Sequence, residues 1–217
     1  MYIIIIGAGG IGKKLVKFAL KDKHNVIVIE KEQEKCEELV RKFDVAIIHA
    51  DATQEETLKE AEIKKADALI ATTADDSINL MVVSLAKNMN VPLLISVVNK
   101  EEAKPMFLEK EVNIVKNPDD LMAEYLYKSL KHPTVDDFMH VGEKAEMFTL
   151  PLSMKSKLSG KSIKKLKLPK KCLIVAIERE GEFIIPTEEV EIFPGDKITV
   201  LAPGEQVDKL GKLLSAS

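Results

Sequence analysis

The sequence predicts an α/β protein, a doubly wound, mostly parallel sheet followed by a small α+β domain. Three observations carry this expectation. The first thirty residues form a strand, a glycine turn, a helix, a second strand and an acid. Strands and helices then alternate to about residue 130, and the periodicity changes after His132-Pro133.

Residues 3–6 are all isoleucine, an apolar run without a solvated face, as in a strand buried inside a parallel sheet. Gly7, Gly9 and Gly12 follow in GxGxxG spacing, and Ile11, Leu15, Val16, Phe18 and Ala19 mark an amphipathic helix. A second apolar run at 26–29 ends in Glu30, 18 positions after Gly12, close to the roughly 20 expected of a Rossmann-like nucleotide fingerprint. Gly7 permits a tight turn, Gly9 lets backbone N–H groups approach a phosphate, and Gly12 lets the helix pack close to the strand. The helix N-terminus offers partial positive charge to a phosphate, and Glu30 can accept hydrogen bonds from ribose hydroxyls. The loop Gly7, Ala8, Gly9, Gly10, Ile11 and Gly12 is therefore the first candidate binding segment.

Onward, residues 31–43 read as a charged helix, 45–49 as a strand, 55–62 as a helix and 68–72 as an apolar strand. Helices at 77–88, 102–109 and 118–130 alternate with strands at 93–97 and 112–115. Ligands of such sheets bind beyond the carboxyl ends of the strands. That rule adds Glu30, Lys31, Asp51, Ala52, Thr72, Thr73 and Asp75 as candidates, and places Ser96 to Asn99 at the same edge. Asp75, Asp76 and Ser77 read equally well as the start of their helix.

One helix is unusual. Between residues 78 and 86 only Asn79 and Ser84 are polar, so apolar groups surround the cylinder and need a second contact beside the sheet. That contact is either the carboxyl-terminal domain or a partner subunit. Leu121, Met122, Tyr125, Leu126 and Tyr127 make the helix ending at residue 130 similarly apolar, which argues for an oligomer.

Pro133 stops that helix, since it disfavours helical geometry in His132 and donates no N–H. The expected organisation is a nucleotide-binding domain at 1–131, a crossover linker at 132–142 and a small α+β domain at 143–217. In the last, strands are expected at 147–152, 173–178, 183–185 and 197–201, with helices at 160–166 and 205–214.

Composition narrows the function. A net charge of −3 speaks against a nucleic-acid surface, which needs a concentrated basic face. No apolar stretch approaches the roughly 18 residues that cross a bilayer, so the chain is not itself a channel. The sequence opens on a strand without a signal-like basic and apolar segment, so the expected location is cytoplasmic. Cys36 and Cys172 read as reduced packing residues, and no metal site is expected.

The motifs GAGGIG, NVIVIE, ADAT, ATTADDSINL, LSGKSIKKLKLP, IVAIEREGEFIIP and FPGDKITVLAP together resemble the TrkA-type regulators of potassium uptake, also called RCK or KTN proteins, over essentially the whole chain. The resemblance implies a cytosolic gating ring, commonly octameric and homo- or hetero-oligomeric, docked under a membrane-embedded potassium transporter or channel. It also implies an adenine nucleotide (AMP, ADP or ATP) or NAD(H) at the switch point of the sheet. The chain departs from the family pattern at two positions where arginine is usual, Gly10 and Val97. Lys13, Lys14 and Lys31 replace such phosphate donors only in part, which favours AMP, ADP or a dinucleotide over ATP.

The rival class is a small NAD-dependent oxidoreductase. Its acid–base candidates are poor. His24 lies in the turn before the second strand, opposite the cleft, and His49 ends a strand, where it either faces the ligand or packs. His132 and His140 read as solvated residues of the interdomain stretch. A scaffold that binds nothing is the third reading. The implied mechanism is allosteric, a ligand shifting the ring by its differential affinity for two shapes.

Overall fold

The computed structural model describes residues 1–142, 144–154, 156 and 158–215; Glu143, the expected start of the carboxyl-terminal domain, lies outside them. The chain divides into two compact units, Met1–Leu121 and Met122–Ser217.

In the first unit β1 (Tyr2–Ile6), α1 (Gly10–Lys21), β2 (Asn25–Glu30), α2 (Gln33–Lys42), β3 (Ala46–His49) and α3 (Glu55–Glu60) are followed by β4 (Ala68–Ala71), α4 (Asp76–Asn88), β5 (Leu93–Val97), α5 (Lys104–Glu109) and β6 (Ile114–Lys116). The strands form one parallel sheet in the order β3-β2-β1-β4-β5-β6. The order reverses between β1 and β4, so the chain leaves a crevice at the carboxyl ends of those strands. The isoleucines of β1 explain why it is central. Strand side chains alternate, so Ile4 and Ile6 join Leu69, Val82, Leu94 and Phe107 on one face, while Ile3 and Ile5 join Val16, Val28 and Leu39 on the other.

α4 is only partly covered within the chain. Asn79, Val82, Val83 and Ala86 are buried, Leu80 and Leu85 pack at the margin of the core, and Met81 is 49% exposed. α6 (Pro118–Lys131) begins in the first unit and continues in the second. None of its residues is buried, and Leu126, Tyr127 and Leu130 stand open.

The second unit is an antiparallel sheet of β7 (Asp137–Val141), β8 (Ala145–Pro151), β9 (Leu173–Arg179), β10 (Glu182–Ile184) and β11 (Lys197–Pro203) in the order β10-β9-β11-β8-β7, with α7 (Val207–Ser215). Phe148, Leu150, Ile177, Ile198, Val200, Leu210 and Leu214 fill its core. β7 lies inside the stretch expected as polar linker. It is an edge strand with four of its five residues exposed, and its adjacent Phe138 and Met139 are too short a run to mark a buried strand. The helix expected at 160–166 is a single 3₁₀ turn, Ile163–Lys165. The amides of Gly160 and Ile163 donate to the carbonyls of Ile192 and Val190, a strand-like pairing that competes with helical bonds. His132 is not a solvated loop residue. Its Nδ1 lies 2.7 Å from Asp208 on α7, and its ring packs 5.9 Å from that of Phe138. His140 stays exposed, 2.8 Å from Glu124.

Asp196, 1% exposed, is held by Arg179 through two bonds of 2.8 and 2.9 Å and by the Phe193 amide at 2.7 Å. The Arg179 guanidinium also lies 4.7 Å above the Phe193 ring. Burial pushes the Asp196 carboxyl up, but the Arg179 and Phe193 bonds outweigh it and hold it below the ordinary range. A depressed folded pKa contributes stability above the unfolded pKa of about 3.9 and loses it as pH falls through the folded value. Asp196→Asn should therefore lower the melting temperature at pH 7, by the loss of charged hydrogen bonds worth about 1.5–3 kcal/mol in total. It should also flatten the loss of stability that the wild type should show in thermal unfolding as pH falls below about 3.9.

Candidate functional site

A cleft of about 520 Å³ opens at the carboxyl ends of the parallel strands. Of the residues expected from sequence, Gly7, Gly9, Gly10, Ile11, Glu30, Lys31, Asp51, Ala52, Thr72, Thr73 and Asp75 line it. Ala8 and Gly12 are not among its lining residues. Ala8 is fully buried and contributes its N–H to Glu30. Gly12 lies behind the loop, where a Cβ would stand 2.0 Å from the Gly7 carbonyl oxygen and 3.2 Å from Thr72 Oγ1. Gly7 itself has φ +94°, which a side chain disfavours.

The loop leads straight into α1, whose N-cap is Gly9 and whose first intrahelical bond runs from the Lys13 amide to the Gly9 carbonyl at 3.0 Å. The amides before Lys13 have no partner within the helix, and with the helix dipole they form an anion-binding end.

Around that end the polar side chains are already engaged. The Glu30 carboxylate, 7% exposed, accepts the Ala8 amide at 2.6 Å on one oxygen and those of Lys31 and Glu32 at 2.7 and 2.9 Å on the other. A carboxylate offers about four lone-pair sites, so one remains for a ligand hydroxyl. Asp51 accepts the hydroxyl and amide of Thr53 at 2.7 and 2.9 Å and faces Lys31 at 3.4 Å. The Thr53 bonds, with Lys31 adding less, hold the Asp51 carboxyl below its ordinary value.

Thr72 donates its hydroxyl to the Ile6 carbonyl at 2.9 Å, and Thr73 Oγ1 lies 2.8 Å from Asn79 Oδ1. Asp75 caps α4 through the amides of Ser77 and Ile78 at 2.7 and 3.2 Å, which keeps its carboxyl below the usual range, while also lining the cleft. Asp75 thus caps its helix and stands at the cleft wall at once. Asp76 turns instead to the Asn99 and Lys100 amides, at 2.7 and 2.9 Å. Val97 and Asn99 line the cleft, whereas Ser96 is buried and donates to the Val97 carbonyl.

Further lining residues escaped the sequence reading. Ile6, Ile29, Ile78 and Pro118 make it partly apolar, and Glu32, Lys35 and Asp119 add charge. Asp119 sits in the first turn of α6, directly after β6, so the strand-end rule that found Asp51 and Thr72 could have found it. Lys31 and Lys35 are the only cations lining the cleft among the described residues. Of the lysines considered as substitutes for the missing arginines, Lys13 is paired with Glu38, and Lys14 does not line the cleft. None of the four histidines lines it either, and His49 is exposed with Nε2 3.0 Å from the Lys31 carbonyl.

Residues 3–118 match the TrkA-N domain and residues 147–215 the TrkA-C domain. The chain is 31% identical over 221 residues to the Trk system potassium uptake protein TrkA homolog of Pyrococcus abyssi, covering 99% of this chain and 97% of that one. The chain belongs to the TrkA family. Solved structures agree on the fold. The GsuK channel bound to NAD superposes with a TM-score of 0.69 at 16% identity, covering 100% of this chain and 40% of that one. The AMP-bound carboxyl-terminal domain of Kef from Shewanella denitrificans gives 0.50 at 18%, covering 57% and 74%.

The glycines of this TrkA-family loop are not equivalent. A Cβ at Gly10 meets nothing within 4 Å, whereas one at Gly12 meets backbone. Gly10→Ala should leave the unfolding free energy within about 0.5 kcal/mol of wild type, as at unconstrained surface sites. Gly12→Ala should cost several times more, since α1 must move off β1. Equal melting temperatures for the two variants would refute the distinction.

Proposed function

We infer that this chain is a nucleotide-sensing regulatory subunit of a potassium transporter or channel, working as part of a ring at the cytoplasmic face of the membrane. The observation that carries the reading is the cleft at the switch point, where the amide end of α1 and the Glu30 carboxylate lie on one wall. Family membership and the curated relative's role in potassium uptake support it, as do the NAD and AMP bound by the structural neighbours. In this reading residues 1–131 sense the ligand and the carboxyl-terminal part forms the second domain of the subunit, which takes in β7 from the expected linker at 132–142. No helix among the described residues is long and apolar enough to cross a membrane, and in this reading transport is assigned to a membrane-embedded partner.

Phosphate is expected over Gly7 to Gly12, ribose at Glu30, and adenine beside Lys31, Asp51 and Ala52, with Thr72, Thr73 and Asp75 closing the floor. Charge decides among the nucleotides. The lining cations, Lys31 and Lys35, face Asp51 at 3.4 Å and Glu32 at 2.5 Å, and the rest of the lining carries Asp75 and Asp119. Such a site tolerates the charge of AMP, ADP or an NAD(H) pyrophosphate better than that of ATP. Among the described residues no imidazole lines the cleft, and the reading we favour is sensing rather than turnover.

Calorimetry with AMP, ADP and NADH tests the site. Glu30→Gln removes the charge that a ribose hydroxyl would meet, and affinity should fall at least tenfold, the lower end of a charge-assisted bond of about 1.5–3 kcal/mol. Unchanged affinity for all three ligands would overturn the assignment. Sedimentation tests the ring, whose order we put at eight. Met81→Asp on α4 and Leu126→Asp on α6 place a carboxylate on faces that the chain leaves open. Burial of that charge between subunits costs several kcal/mol, so each variant should sediment as a smaller species. Wild-type mass in both would show that neither face is an interface.

A further inference from the structure

Beneath the cleft a set of buried or half-buried side chains joins the ends of β4, β5 and β6. Asn79, fully buried in α4, accepts the Thr73 amide at 3.0 Å and donates to the Thr73 carbonyl at 3.0 Å. The Asn99 carboxamide donates to the same Thr73 carbonyl at 3.2 Å and to Asp76 Oδ1 at 2.8 Å. Asp76 also takes the backbone amides of Asn99 and Lys100. Asn117, 9% exposed, donates from Nδ2 to the Asn99 carbonyl at 3.4 Å. Its Oδ1 accepts the amides of Asp119 and Asp120, capping α6.

Two features give this chain of bonds a task. Pro118 and Asp119, the first residues of α6, line the same cleft as Thr73. α6 buries none of its own residues, so packing does little to fix the direction in which it starts. Its first turn is set by the Asn117 cap, and Asn117 is tied to Thr73 through Asn99. We propose that the relay Thr73–Asn99–Asn117, braced by Asp76 and Asn79, couples occupancy of the cleft to the first turns of α6. The proposal rests on the nucleotide reading above and deepens it by naming how the signal leaves the site. A ligand pressed against Thr73 or Pro118 shifts one end of the relay. Every other member is held by at least one strong partner, so the movement is passed to the 3.4 Å bond and the cap rather than absorbed locally.

Asn117 allows the cap to be separated from the relay. Asp and Ser are as good N-caps as Asn, but Asp cannot donate to the Asn99 carbonyl and Ser does not reach it. Hydrogen exchange of the full chain, with and without saturating AMP or NADH, reads the outcome. In the wild type either ligand should slow exchange in residues 118–126 at least about fivefold, the low end of a coupled site. In Asn117→Asp and Asn117→Ser the unliganded exchange of α6 and the calorimetric affinity should stay within about threefold of wild type, because the cap persists. The ligand-induced slowing in residues 118–126 should fall below about twofold, while that in residues 9–14 remains. Slowing of α6 in both variants as large as in wild type overturns the relay alone. Faster α6 exchange in both variants without ligand reduces Asn117 to a structural cap and also overturns it. Failure of AMP, ADP and NADH to bind the wild-type chain at all overturns the nucleotide reading and the relay with it.

Discussion

The bond from the Ala8 amide to the Glu30 carboxylate, 2.6 Å long and nearly sealed from water, ties the turn after β1 to the end of β2. Together with the absence of a side chain at Gly12, it sets the height of α1 above the sheet and therefore where the first-turn amides stand. A buried carboxylate is tolerated only when its lone pairs are filled, and three N–H groups fill most of them here. Glu30 is thus a structural clamp and a candidate ligand contact at once. The two roles are compatible because a carboxylate can accept more bonds than the backbone supplies.

The same economy runs through the rest of the cleft. Asp51, Asp75, Thr72 and Thr73 are each held by neighbouring backbone or side-chain groups, so the site needs little reordering to receive a ligand. Preorganisation of this kind lowers the entropic cost of binding. The lack of arginine among the lining residues works in the other direction for highly charged phosphates.

Regulation requires two shapes, and the uncovered elements are where a second shape has room. Met81 of α4 and the open side chains of α6 leave apolar surface that nothing within the described chain covers. Isolated exposed apolar residues are ordinary, but a helix of 14 residues with none buried is not. A nucleotide moves such an element only through contacts that differ between the two arrangements. In the proposed mechanism the polar relay under Thr73 is the route from the cleft to α6.

The doubly wound fold and most of the cleft were legible in the sequence because both depend on local chemistry. Four isoleucines make a strand buried on both faces, glycine spacing makes a turn that approaches a phosphate, and polar residues after apolar strands mark the binding edge. Distances along the chain were enough to bring Gly7, Gly9, Gly10, Ile11, Glu30, Asp51 and Thr72 to that edge, but not to show that Ala8 and Gly12 stand behind it. Tertiary structure alone decided the rest. β7 was hidden because an edge strand need not be apolar, and the turn at Ile163–Lys165 looked helical until Gly160 and Ile163 found strand partners thirty residues on. His132 looked solvated until α7 brought Asp208 to it. Whether Ala8 touches the ligand or the fold, and whether Asp76 caps its helix or braces Asn99, depended on which group each met across the chain. A residue's type sets what it can bond. Its long-range neighbours decide what it does bond.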